Sequence, residues 1–353
     1  MVDRKAAKDR LNSIMTKDQP EQYQPPLLFY LSDYRYGGCT TFTAHLMHIL
    51  NRTYVLSLTK AFTKDIGDFG YGVKFQRKPI EFLTQVKEMF IADMYENFHL
   101  LQKMKDKHIT IVIHDPGEIF DENEGYLKEW NIIVIRKTVQ AYLKRKHNIK
   151  AKFLYHPFYP YKKHLNNILE NSDINSRKEV VSISRIAPHK NTDIILKANK
   201  KLSNHIKIYG LVNPQYVSSE LKNLDFDKHY HGTFDKSFSQ VSAILSKSKF
   251  MVDLSEIPND GGGTQYTFLE AIYNNSAIIL NRNWIETVDK KYRDFKEGYN
   301  CYAVSNEHEL IELINNSDNI DTTNVVDNAT KLMHRHLDIA KDWNNLINTK
   351  KQT

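Results

Sequence analysis

Two α/β units in tandem, each a parallel sheet covered by helices on both faces, are the architecture that this sequence predicts. Three observations point to it. Short runs such as residues 109–113 (ITIVI) and 131–135 (NIIVI) are almost wholly apolar, as strands buried on both faces must be. Segments with helical spacing separate these runs, and the resulting rhythm breaks once, near the middle of the chain. A length of 353 residues exceeds one ordinary core and suits two.

Taken in order, residues 1–26 mix charges with a closing Pro25-Pro26 and are read as an N-terminal extension. A first Rossmann-like unit then spans 27–160. It runs LLFYLS, the helical TTFTAHLMHIL, TYVLSL, a long helical region over 79–104, ITIVIH, NIIVIR, a basic helix and KFLYHP. Residues 161–178, rich in Tyr, Lys and Asn, form a linker. The rhythm resumes over 179–320 as a second doubly wound unit: EVVSIS, a helix after Asn191, IKIYG, a helix after Pro214, KHYHG as a strand, a helix through 241–245, FMVDLS, TQYTFLEAIYNN and AIILN. Residues 321–353 carry helical spacing at Val326, Leu332, Leu337, Ile339 and Leu346, and are expected to run back onto the first unit.

Composition narrows the function classes. A hydrophobic fraction of 41% and an aromatic fraction of 11% are ample for packed sheets. No apolar run approaches the roughly 20 residues that span a bilayer, and the polar start leads into no signal-peptide core, so the expected address is cytoplasmic. The two cysteines, Cys39 and Cys301, provide neither a disulfide framework nor paired metal-ligand spacing and are read as reduced, structural thiols. A formal charge of +7 and a pI near 9.0 favour an anionic partner (nucleic acid, nucleotide or membrane surface), although abundant Lys, Asn and Ile could equally reflect an AT-rich genome.

Three segments carry chemistry. Residues 32–43, SDYRYGGCTTFT, follow a strand and open a helix; Gly37 and Gly38 let backbone amides approach a ligand, and a helix start favours an anion. The segment is neither GxGxxG nor a P-loop, which weighs against nicotinamide and kinase chemistry. Residues 183–193, ISRIAPHKNTD, place Arg185 and Lys190 on a strand-to-helix loop, where a planar fork and a point charge can meet one pyrophosphate. Residues 254–275 end a strand in three glycines and start a helix near Thr264, with Glu270 two turns in, where its carboxylate can accept the hydroxyls of a ribose. His114 and Asp115 follow ITIVI at a strand end and could orient or deprotonate an acceptor hydroxyl; a buried histidine satisfied by a carboxylate is the plainer alternative. Asp33, Asp253 and Asp260 form no DxD pair, so no metal is expected, and no cofactor beyond a donor substrate.

The SRxxxxK segment before a helix, the apolar strand and glycine loop, LEA, a small-residue turn and AIIL together resemble the C-terminal domain of the retaining GT-B glycosyltransferases of the glycogen-synthase and sucrose-synthase type. GGCTTFT, His114-Asp115 and YTFLE resemble the DNA alpha-glucosyltransferases of T-even phages, and the ordered set covers nearly the whole chain past Pro26. The resemblance implies two facing Rossmann-like domains with a UDP-sugar in the cleft. Arg185 and Lys190 would hold the donor diphosphate, Thr264, Gln265 and Tyr266 would offer helix-start contacts to phosphate, Glu270 would hold the ribose, and Gly37-Gly38 would reach the sugar phosphate. One departure stands out: of the family's two glutamates eight apart, Gly262 occupies the place of the first, and Glu256 is the nearest substitute.

The implied acceptor is the hydroxymethyl group of a modified pyrimidine, such as hydroxymethylcytosine, in double-stranded viral DNA. Locally, Arg136, Lys137, Lys144, Arg145 and Lys146, with Lys150, Lys152, Lys162 and Lys163 beyond, would supply phosphate contacts; a solvated helix face explains them equally. Tyr34, Tyr36 and Phe120 are candidates to stack against a flipped base. Transfer to a cell-surface polysaccharide, lipid or protein, and a non-enzymatic nucleic-acid-binding protein, stay open beside this reading. The transferred sugar and the stereochemical outcome are open as well.

Overall fold

A computed structural model describes residues 26–32, 37–52, 54–58, 74–94, 100, 104, 106–119, 121–161, 174–233 and 237–348. Two sheets dominate it, and every strand pairing within them is parallel. The first contains β1 (Leu27–Tyr30), β2 (Tyr54–Ser57), β3 (Lys74–Arg77), β4 (Glu88–Asp93), β5 (His108–Ile113), β6 (Asn131–Val134) and β7 (Ala151–Phe153), in the order β3-β2-β1-β4-β5-β6-β7. The second contains β8 (Glu179–Ile183), β9 (Lys207–Tyr209), β10 (Ser248–Asp253), β11 (Ala277–Asn281) and β12 (Tyr302–Val304), in the order β12-β11-β10-β8-β9. The predicted class, two doubly wound α/β units, is what is observed.

The apolar runs become strands for the expected reason. All six residues of β10 and all five of β11 are buried, so neither face of these strands meets water, and the apolar runs Phe250–Val252 and Ala277–Leu280 fill them apart from their polar ends. In each sheet the chain order reverses once, between β1 and β4 in the first and between β8 and β10 in the second. A crevice opens outside the carboxyl ends of the strands at such a reversal, because the following loops diverge to opposite faces.

Several elements differ from expectation. Residues 79–104 do not form a long helix: Ile80–Gln85 is a short 3-10 helix, and Glu88–Asp93 is β4, the strand beside β1. Its MFIA core is a short apolar run whose spacing suits a buried helix face as well as a strand, and pairing with β1 and β5 decides the outcome. KHYHG is not a strand: Lys228 and His229 end the helix Phe226–His229, and Tyr230 alone forms a bridge, to Ile208. Strands β3 and β12, and the helix Glu307–Asn315, had no clear signal.

The C-terminal helices Thr323–Asp338 and Ala340–Asn348 cross back to the first sheet. Trp343 is wholly buried, edge-on to Phe42 at 5.5 Å and to Phe90 at 6.3 Å, and its indole N–H donates to the Tyr155 carbonyl at 2.9 Å. One residue thus joins the tail to the helix Gly38–Ile49 and to β4. Trp343→Ala removes this contact and leaves a cavity between them; urea unfolding is expected to show a loss of about 3–5 kcal/mol, and a loss under about 1 kcal/mol would mean that the tail is not part of the core.

Candidate functional site

The two crevices face one another and share a cavity of about 280 Å³. From the first sheet, Gly37, Gly38, His114, Asp115 and Arg136 line it; from the second, Arg185, Lys190, Gln265, Tyr266 and Glu270 do. Each position follows from chain order. Gly37-Gly38 start the helix after β1, His114-Asp115 follow β5, Arg185 and Lys190 follow β8, and Gln265 caps the helix Tyr266–Tyr273 after β10. Sequence reasoning therefore named ten residues that the fold brings to one space.

The glycine loop closes directly over the cation. Gly37 sits at φ +128°, and a Cβ there would meet Nη2 of Arg185 at 3.0 Å, so a side chain at 37 would push the guanidinium away. Gly210, at φ +146°, is constrained harder: a Cβ would lie 1.7 Å from the Ser184 carbonyl oxygen. Gly210 and Leu211 both line the cavity, and sequence reasoning missed them; a lone glycine after a strand was the only cue.

Lys190 is held tightly. Its Nζ donates to Ser255 Oγ at 2.6 Å and to Gln265 Oε1 at 2.9 Å, and lies 3.6 Å from Asp253 Oδ2. Burial pushes its ammonium below the usual lysine range, against the pull of Asp253. Asp253, at the end of β10, accepts from the Ser255 amide and from Thr267, which fixes the loop into the helix Tyr266–Tyr273. The Phe268 and Leu269 amides turn back to the Gln265 carbonyl at 3.1 and 3.0 Å, and the positive end of that eight-residue helix, beside Arg185 and Lys190, makes an arrangement suited to an anion. His189, pushed down to about 4 by burial and then by Lys190 and Arg185, adds no charge at neutral pH. The anion site thus rests on two cations.

On the opposite wall His114 Nε2 lies 2.7 Å from the Ala92 carbonyl. A carbonyl only accepts, so Nε2 carries the proton and Nδ1 is the basic nitrogen. Burial holds the ring below the usual histidine range. Asp115 is committed differently: its Oδ1 accepts from the Gly117 amide at 2.8 Å and caps the 3-10 turn Pro116–Glu118. Cys39 also borders the cavity, its thiol pushed up by burial and hence protonated. The donor atoms of Cys39, Asp93 and His114 lie within 4.8 Å of one another, the one grouping of this kind among the described residues, where the sequence suggested no metal.

Other expectations are redirected. Thr264 turns its hydroxyl away from the cavity toward His156 Nδ1 at 3.1 Å and His336 Nε2 at 3.4 Å. Arg136 is not a solvated cation: its Nε donates to Asp260 Oδ1 at 2.8 Å, Nη2 lies 2.6 Å from Oδ2, and it also donates to the His114 carbonyl. Lys137 pairs with Asp294 at 3.4 Å. Lys144 and Arg145 line a second, adjoining cavity of about 980 Å³, and Lys146 donates to the Tyr142 hydroxyl at 3.0 Å. Glu256 accepts from Asn283 at 3.1 Å and borders that second cavity rather than the first. A glutamate at 262 would be strained: at φ +69° its Cβ would meet Val288 at 3.1 Å and the Tyr292 carbonyl at 3.3 Å. Tyr34, Tyr36 and Phe120 lie outside the described residues.

The histidines beneath Thr264 form a directed chain. His336 Nδ1 donates to the His156 carbonyl at 3.1 Å, which leaves Nε2 to accept from Thr264, and Thr264 in turn accepts from His156 Nδ1. Burial keeps both rings neutral, with His336 pushed down to about 3 and His156 well below the usual range. Folded-state pKa values lowered from 6.5 mean that the unfolded chain binds protons first. Their contribution to stability is therefore complete above pH 6.5 and falls as pH drops toward 3. Urea midpoints are expected to decline between pH 7 and pH 4, and His336→Gln is expected to flatten that decline; an unchanged slope would place the titration elsewhere.

No family model and no curated protein matches the sequence. Solved structures do match the fold. An alpha-glucosyltransferase in complex with UDP and a 13-mer DNA containing an HMU base has a TM-score of 0.67 at 12% identity, over 92% of this chain and 99% of that one. HepE of Anabaena in complex with UDP-glucose gives 0.64 at 13% identity, over 91% and 97%. A glycosyltransferase from Rickettsia africae gives 0.57 at 14%, over 91% and 99%. These are GT-B glycosyltransferases, and GT-B is the fold of this chain.

Proposed function

Starting from a GT-B fold with a charged interdomain cavity, we propose that this chain is a glycosyltransferase that moves a sugar from a UDP-sugar to the hydroxymethyl group of a modified pyrimidine in DNA. The observation that carries the donor half is the convergence of Arg185, Lys190, the Gly37-Gly38 loop and the start of the helix Tyr266–Tyr273 on one cavity. Cations and the positive end of a helix held in place before the reaction stabilise the charge that builds on a departing diphosphate, and they need no reorganisation to do so.

In this reading the bond between the anomeric carbon and the β-phosphate oxygen breaks, and the acceptor hydroxyl oxygen bonds to that carbon from the same face. The departing phosphate takes the hydroxyl proton, so configuration is retained and neither a protein nucleophile nor a metal is needed. His114 Nδ1 and Asp115 orient the acceptor hydroxyl. Leu211, exposed at the rim beside Gly210, offers the uracil ring an apolar surface.

For the acceptor, support comes from Lys144 and Arg145 in the adjoining cavity, which joins the first through His189 and Ile257, and from the solved neighbour that holds DNA. The commitment of Arg136 and Lys137 to internal ion pairs thins the basic surface. That observation favours a second reading, transfer to a polysaccharide, lipid or protein.

The experiment is incubation with a panel of UDP-sugars and hydroxymethylcytosine duplex, followed by mass analysis of the nucleosides. Addition of one hexose or pentose is expected. No addition from any donor, with hydrolysis of a UDP-sugar intact, overturns the DNA acceptor; salt-dependent DNA binding without UDP binding overturns the enzyme. The charge-reversed pair Lys144→Glu and Arg145→Glu is expected to raise KM for DNA by about tenfold or more at low salt while leaving UDP affinity unchanged. An unchanged KM would remove these cations from the acceptor path.

A further inference from the structure

Glu270 lies at the cavity wall, yet both its carboxylate oxygens already accept hydrogen bonds from protein. His45 Nε2 lies 3.1 Å from Oε1, and the Tyr161 hydroxyl donates to Oε2. The direction of the first bond is fixed by a third group: the Tyr159 amide donates to His45 Nδ1 at 2.9 Å, so the imidazole proton must sit on Nε2 and point at Glu270. Burial lowers the His45 pKa, so the donor is a neutral ring.

Neither donor can drift. The His45 ring is fully buried and stacked between Phe158, at 4.4 Å and 28°, and Tyr266, at 4.8 Å and 10°. Tyr161 stacks on Phe238 at 4.3 Å and 11°, and its oxygen accepts from Asn274 Nδ2 at 3.1 Å, so the hydroxyl proton is directed to Glu270. A carboxylate oxygen has two lone-pair sites. One site on each oxygen is taken by these donors, and Glu270 borders the cavity.

We infer that His45 and Tyr161 are positioning residues of the donor site, holding the Glu270 carboxylate so that its two remaining lone-pair directions meet the two hydroxyls of a ribose. This rests on the reading of the cavity as a nucleotide site. Because His45 belongs to the helix Gly38–Ile49 of the first unit and Glu270 to the second, the ribose contact is complete only while the two halves are together. A contact made from both units also explains why a carboxylate, otherwise costly to bury, sits where it is: its partners are in place before any ligand arrives.

The test compares UDP with 2′-deoxy-UDP by calorimetry. The wild-type chain is expected to bind UDP about tenfold more tightly, the worth of one hydrogen bond to a charged group. In His45→Phe, which keeps an aromatic ring in the stack and removes the donor, the ratio is expected to fall toward one. His45→Gln, which restores an N–H donor, should recover part of it. Tyr161→Phe deletes a single hydroxyl and should act in the same direction, which keeps the test decisive if His45→Phe does not fold. A merely structural role would weaken both ligands equally and leave the ratio untouched, and that result overturns the inference. A wild-type chain that binds both nucleotides alike also overturns it while the donor site stands; one that binds neither overturns the donor site itself.

Discussion

Arg136 and Asp260 form an ion pair almost removed from water, and its place between the two sheets sets the geometry of the cleft. Burying two opposite charges is costly unless the geometry is good and the remaining donors and acceptors are satisfied. Here Asp260 Oδ2 has only its ion contact with Arg136, while the other groups of the pair find partners across the cleft. Arg136 also donates to the His114 carbonyl, and Asp260 accepts from Thr138 at 3.1 Å and from the Gly261 amide at 2.8 Å. Gly263 packs against the Arg136 side chain so closely that a Cβ would lie 3.0 Å from its Cγ. The triple-glycine loop is therefore gripped by the first unit, and the helix that follows it is aimed by that grip.

The second crossing, His45 to Glu270, repeats the logic with a neutral donor. Arg185 and Lys190 line the cavity that both crossings border, with the Gly37 backbone close to Arg185. A cavity so assembled is preorganised at Lys190, which Ser255 and Gln265 hold before any ligand arrives. Lys190 gives the same picture from the side of electrostatics. Burial penalises its charge and Asp253 supports it, so an incoming diphosphate would relieve a cation that is only partly compensated.

Much of this was legible in the sequence. The alternation of apolar strands and helices gave the two doubly wound sheets, and a sheet's carboxyl edge is where loop residues gather, which is why Arg185, Lys190 and Gln265 could be named together. The misreadings share a physical cause. Arg136 and Lys137 sit in a run that reads as a solvated basic face, but their partners Asp260 and Asp294 lie 124 and 157 residues away, and local spacing carries no trace of them. Thr264 likewise faces His336, 72 residues distant. Strand β4 was hidden because four apolar residues suit either period, and only its neighbours in the sheet choose between them. Gly262 was read as a lost carboxylate; the left-handed backbone shows a loop built around having no side chain there.

The claim on which the rest depends is that both halves of the chain meet on one diphosphate. A crystal structure with UDP measures this directly. The account predicts the β-phosphate within hydrogen-bond distance of Arg185 and Lys190, its oxygens facing the amides that open the helix Tyr266–Tyr273, with the Gly37-Gly38 loop above it. UDP bound outside this cavity, or bound in it with its phosphates turned away from both cations, would contradict the account.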